Sequence, residues 1–140
     1  MIIDKAFLDA LWGQASESPR LRMNCDMRNS AEDTSQRMLN ALQPGTVVPI
    51  HRHENTDESV ICLCGRLEEI IYEEVIEYEH VLTSGVEDVV RKSSFKEASR
   101  QLLCPADGIY GMQIPAGTWH SINVIEPSVI FEAKDGAYIP

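Results

Sequence analysis

The chain has 140 residues, 44% of them hydrophobic and 24% charged, with a formal net charge of −10. That length suits one domain around one core, and the acidic balance argues against nucleic acid or an anionic membrane surface as a partner. The first residues carry no basic stretch or cleavable small-residue site, and no apolar run approaches the ~20 residues that span a bilayer, so a cytoplasmic protein is expected.

Residues 1 to 16 or 17 read as an amphipathic helix. Asp4 stands as an N-cap after Ile3, while Phe7, Leu8, Leu11, Trp12 and Ala15 form one apolar stripe that Ser18-Pro19 ends. Arg20–Arg28 alternates strictly, with Leu21, Met23, Cys25 and Met27 opposite Arg20, Arg22, Asn24, Asp26 and Arg28, which predicts a half-buried strand. A polar, turn-rich segment, Asn29–Ser35, leads into a second strand, Gln36–Leu42, and Gln43-Pro44-Gly45 makes a turn.

Between Gly45 and Gly65 lies the stretch around which the rest is organised. His51 and His53 are one residue apart, so on an extended segment both imidazoles point to one side. Asn55-Thr56-Asp57 favours a turn that brings Glu58 to the same point. Two imidazoles and one carboxylate suit a divalent transition metal; an exposed loop with two solvated histidines is the plain alternative. Val60–Cys64 then reads as a buried strand. Cys62 shares the face of Glu58 but lies roughly 13 Å further along, at about 3.3 Å per residue, which makes it lining and not ligand. The four cysteines, at 25, 62, 64 and 104, show neither a disulfide nor a zinc-knuckle rhythm and read as reduced thiols.

Leu67–Leu82 mixes Ile, Val and Tyr with glutamates and predicts a long strand pair or hairpin. Glu68, Glu69, Glu73, Glu74, Glu77 and Glu79 read as a solvated face, and His80 as a surface or satisfied core residue. Ser94-Phe-Lys-Glu97 has the form of a capping box and predicts a short helix to about Leu103. Residues 73–103 as a whole read as an extended hairpin or an insertion. Ile109–Ile114 is a strand, Pro115-Ala-Gly117 turns the chain and delivers Trp119 and His120 to the next strand, Val129–Lys134 closes the sheet, and Asp135–Pro140 is a short tail. No repeat, low-complexity tract or linker interrupts a single domain over 1–140.

The spacing Gly45-x5-His51-x-His53-x4-Glu58-x6-Gly65 resembles the first motif of the cupin superfamily, and Pro115-x-Gly117-x2-His120 resembles the core of the second. The flanks of the second motif depart from the pattern: Ile109 and Val124 stand where glycine and asparagine are usual. The resemblance implies an all-β fold with a small N-terminal helix, a double-stranded β-helix or jelly-roll barrel. It also implies His51, His53, Glu58 and His120 as ligands of one divalent metal (Fe, Mn, Ni, Co or Zn), with Glu58 alternatively free to act as a base.

The chain is further similar to the WbuC-like cupins, through Ile3–Leu11, Ser18–Asn24, Gln36–Gly45, His51-Arg-His53, Ile114–His120 and Phe131–Tyr138, covering most of the sequence apart from about Glu73–Ala98. That family consists of small metalloproteins encoded among genes for bacterial surface polysaccharides. The resemblance therefore implies a small polar, sugar-like metabolite and an isomerase- or epimerase-type step. A non-catalytic metal- and ligand-binding sensor or storage protein is the alternative, and a metal-dependent dioxygenase ranks third. A homodimer is expected. Arg22, Asn24, Arg37, Tyr110, Gln113 and Lys134 are candidates to bond a sugar-like or carboxylate ligand, although the solvated face that an alternating strand has by default is the stronger account of each.

Overall fold

The computed structural model describes residues 1–136; the remaining residues of the expected tail, 137–140, lie outside the described part. Helix α1 (Lys5–Glu17) is followed by six strands: β1 (Arg22–Asp26), β2 (Ser35–Leu42), β3 (Glu58–Thr83), β4 (Val86–Leu103), β5 (Gly111–Ile114) and β6 (Trp119–Asp135). The strands form one antiparallel sheet of order β1-β2-β6-β3-β4, with β5 on the other side of the first part of β3. Among the described residues no helix is long and apolar enough to cross a membrane.

The long ribbon of β3 and β6 makes the barrel. Its register runs from Glu58↔Lys134 at one end to Tyr72↔Trp119 at the other, with shifts between Cys62 and Leu67. On a straight ribbon Glu58 and His120, which pairs with Ile71, would stand ~40 Å apart at about 3.3 Å per residue. They are 3.9 Å apart, side chain to side chain. The ribbon therefore folds back on itself at the bulged centre, and Gly65 (φ +96°) sits there against the Pro127 carbonyl, where a Cβ would come within 2.3 Å.

Period-2 alternation sorts the side chains into two apolar groups. Leu42, Val60, Cys62, Leu67, Leu103, Ile114, Val124 and Ile130 fill the barrel. On the outside of the β1-β2-β6 face, Leu39, Ala41 and Val129 are covered by Leu11 and Ala15 of α1. The helix starts where Asp4 caps it, the carboxylate accepting from the Phe7 N–H at 2.9 Å. It is pinned by the Trp12 indole N–H, which donates to the Ser128 carbonyl at 3.0 Å.

The expected helix near 94–103 does not form. β4 runs through it, because β3 offers a ladder partner to nearly every residue from Val86 to Leu103, and only Ala98 is skipped, at a bulge. A long pairing of this kind outweighs a local capping signal. Ser84 (φ 52°) and Gly85 (φ 79°) form the two-residue turn that joins β3 to β4. The distal part of this hairpin extends away from the barrel with nearly every side chain exposed.

Candidate metal centre

Two distant segments meet through their backbones. The His51 N–H donates to the His120 carbonyl at 3.0 Å and the His120 N–H returns to the His51 carbonyl at 2.8 Å; the Gly117 N–H adds a bond to the His53 carbonyl at 2.7 Å. Asp57 accepts from the Ala116 N–H at 2.8 Å, which holds the 55–57 turn and with it Glu58 at the start of β3. Ligand-type atoms of His51, His53, Glu58 and His120 consequently lie within 4.8 Å of one another.

The hydrogen bonds orient the rings. His51 Nδ1 faces the Pro49 carbonyl at 2.8 Å and His120 Nδ1 the Thr118 carbonyl at 2.9 Å. A carbonyl only accepts, so both Nδ1 atoms carry the proton and both Nε2 lone pairs are free. His120 Nε2 is buried with no hydrogen-bond partner among the described residues. Burial holds both imidazoles below their ordinary pKa, in the neutral form that ligates metal. Burial alone would raise the Glu58 carboxyl, but the His53 N–H at 2.7 Å and the electrostatic pull of the neighbouring His120 and His53 rings and of Lys134 more than offset it, so Glu58 stays ionised. Three nitrogen donors and one carboxylate fit a divalent transition metal, and the orphaned Nε2 of His120 is a donor with no other use among the described residues.

Two further carboxylates occupy the barrel. Glu69, expected on a solvated face, is 1% exposed, because it shares the inward face of β3 with Leu67. Burial, then the Glu58 and Glu132 charges, push it well above the usual carboxylate range. Glu132 on β6 is pushed up to about 8 by burial and by Glu58. His80 is on the surface, bonded to Glu87 at 2.8 Å.

A cavity of about 730 Å³ opens beside His51 and His53, lined also by Gln36, Arg52, Trp119 and Lys134. Of the candidate ligand-binding residues, Lys134 reaches it, with Nζ 3.1 Å from His53 Nδ1. Arg22 and Asn24 stand on β1, off the cavity wall. Arg37 faces the other way and pairs with Asp33 at 3.1 Å; Tyr110 is 60% exposed, and Gln113 bonds the outward Ser59 hydroxyl at 3.4 Å. Gln36, Arg52 and Trp119 were not singled out from the sequence. The alternation of β2 held the signal for Gln36, since Leu42 points inward and an even spacing puts Gln36 on the same face.

The fold and the four converging side chains define a cupin barrel with a group that could hold a metal. Residues 3–82 match the family described as Domain of unknown function (DUF6016), more than half of the chain, and the chain belongs to that family. No curated protein matches it. Among solved structures, the capsular polysaccharide assembling protein CapF from Staphylococcus aureus is similar at 16% identity and a TM-score of 0.53, over 88% of this chain and 30% of that one. E. coli ycfD is similar at 19% identity and a TM-score of 0.52, over 96% of this chain and 31% of that one. KdgF from Halomonas sp. matches at 14% identity and a TM-score of 0.49, over 86% and 83% of the two chains. This chain thus spans about a third of CapF and of ycfD.

Proposed function

We propose that this chain is a metal-dependent cupin in which His51, His53, Glu58 and His120 hold one divalent transition metal beside a cavity for a small polar, sugar-like metabolite. The buried Nε2 of His120, without a partner among the described residues and close to the other three donors, carries the reading. Four protein ligands leave one or two positions open on an octahedral ion, the hallmark of a reactive rather than a structural site. When bound, the metal supplies Lewis acidity to a ligand oxygen. The protein's own part is to hold two imidazoles neutral and Glu58 ionised, and to wall the site with Trp119, whose ring carries the Arg52 guanidinium 4.6 Å from its centre.

An isomerase- or epimerase-type step on a sugar or its activated form fits these groups, and the sugar setting is supported by the WbuC-like resemblance and, loosely, by the capsular polysaccharide protein among the fold relatives. The reading also includes a single domain, a cytoplasmic setting and a homodimer.

The test is metal analysis of the purified, reconstituted protein beside His51→Ala and His120→Ala. One equivalent in the native protein and none in either variant is expected. Retention of metal by both variants would exclude this site, and no metal in the native protein would exclude a metalloenzyme.

A further inference from the structure

We infer that the cavity is built for a small hydroxy acid, with its carboxylate taken by Lys134 and a hydroxyl donated to Gln36. The inference rests on the metal reading above and adds the class of ligand. His53 differs from the other two histidines. Its Nε2 meets Glu58 at 2.7 Å, while its Nδ1 accepts from the Lys134 ammonium at 3.1 Å and not from a carbonyl. A ring that gives its Nε2 lone pair to a metal carries its proton on Nδ1. An N–H cannot accept from an ammonium, so a loaded site leaves Lys134 without that acceptor. Lys134 stands opposite Gln36 on one side and Glu58 on the other, lining the same cavity as His51 and His53. A cation there, next to a dication, is satisfied by an anion in the cavity.

Gln36 supplies the second half. It is 6% exposed, and its Nε2 donates to the Gly136 carbonyl at 2.8 Å, which fixes which end of the amide is which. Its Oε1 is buried, with no donor among the described residues. Such an atom is costly unless a partner fills it, and what it lacks is an O–H or N–H. Among the other charges on the wall, Arg52 is already paired with Glu54 at 2.7 Å, and Asp135 is exposed at the rim. Among the described residues of the wall, Lys134 is thus the cation available to an acid. An acceptor-poor cation beside a donor-poor amide, both next to metal-ligating imidazoles, calls for a molecule that carries a carboxylate and a hydroxyl.

The experiment is isothermal titration of Mn²⁺-loaded protein with D-gluconate, with D-glucitol, which lacks the carboxylate, and with hexanoate, which lacks the hydroxyls. Gluconate is expected to bind at least tenfold more tightly than either. Lys134→Met should erase the preference over glucitol, and Gln36→Leu should weaken gluconate while sparing hexanoate, each with its metal content unchanged. Gluconate binding no tighter than glucitol, or as tight in Lys134→Met as in the native protein, would overturn the inference while leaving the metal site standing. Failure to load Mn²⁺ or any other divalent transition metal would overturn both.

Discussion

Replacing Gly65 with alanine isolates the feature that lets the β3–β6 ribbon fold back. A methyl group there would lie 2.3 Å from the Pro127 carbonyl, 2.3 Å from Ser128 Oγ and 2.6 Å from Ser128 Cα. Two of those three atoms are backbone, so relief requires the strands to part. They part where the Ser128 hydroxyl accepts from the Arg66 N–H at 3.0 Å and donates to the Glu126 carbonyl at 2.7 Å. The left-handed φ of +96° costs a non-glycine residue ~1–2 kcal/mol, and loss of the two hydrogen bonds adds about 1 kcal/mol each. Gly65→Ala should therefore destabilise by about 3–4 kcal/mol. Gly85 at the hairpin tip is the control: its φ is +79°, with nothing within 4 Å of an added methyl group, so Gly85→Ala should cost only the ~1 kcal/mol of the backbone conformation. Urea unfolding followed by circular dichroism reads both. With m near 1–3 kcal/mol/M, the midpoint of Gly65→Ala should fall by about 2 M and that of Gly85→Ala by well under 1 M. Equal shifts would show that crowding between β3 and β6 does not set the bend.

Glu132 gives the metal-free protein a pH dependence of known sign. Its folded pKa of about 8 lies above the ordinary 4.5, so its contribution to stability is complete below about pH 4.5 and is lost as pH rises through 8. One proton sets a ceiling of ~1.4 kcal/mol per pH unit. Denaturation of EDTA-treated protein at pH 5.5, 7 and 8.5 should show this decline in the native chain and a shallower one in Glu132→Gln; parallel profiles would count against the raised Glu132 carboxyl. In amide hydrogen exchange, residues 76–96 of the exposed hairpin should exchange orders of magnitude faster than residues 58–72 in the barrel half of β3. Uniform protection along β3 would mean that something covers the hairpin in solution.

Much of the barrel was legible because it obeys a period of two. Met23, Cys25 and Met27 pack together on the helix side of the sheet, as alternation along Arg20–Arg28 required, and Asp4 caps the helix it precedes. The pairing of His51 and His53 with Glu58 was legible from local spacing alone. The meeting of those residues with His120 was not a matter of spacing, since it depends on a ribbon that folds back, and only the motif resemblance pointed to it. Two readings failed for one reason. Ser94–Glu97 looked like a helix start and Glu69 like a surface charge, because local signals carry no record of a partner strand. Pairing with β3 turned the first into a strand, and the inward face of the ribbon buried the second. Gln36 escaped notice because a polar residue on an alternating strand is indistinguishable from solvent-facing polarity until the direction of the face is known.

The reciprocal backbone bonds between His51 and His120 also bear on how fast the protein folds. They join residues about seventy positions apart, and closing so long a loop carries an entropic barrier that grows with the logarithm of its length. Pairings of that range place a barrel among the slower two-state folders, in the millisecond-to-second range. His51, His53 and Glu58 are close in sequence, but the turn that aligns them is held by the Ala116 N–H, and the fourth donor arrives only when β6 docks. A metal that needs all four therefore cannot template the early chain. Bound there, it would act on the finished barrel and slow its unfolding while leaving the folding rate nearly unchanged.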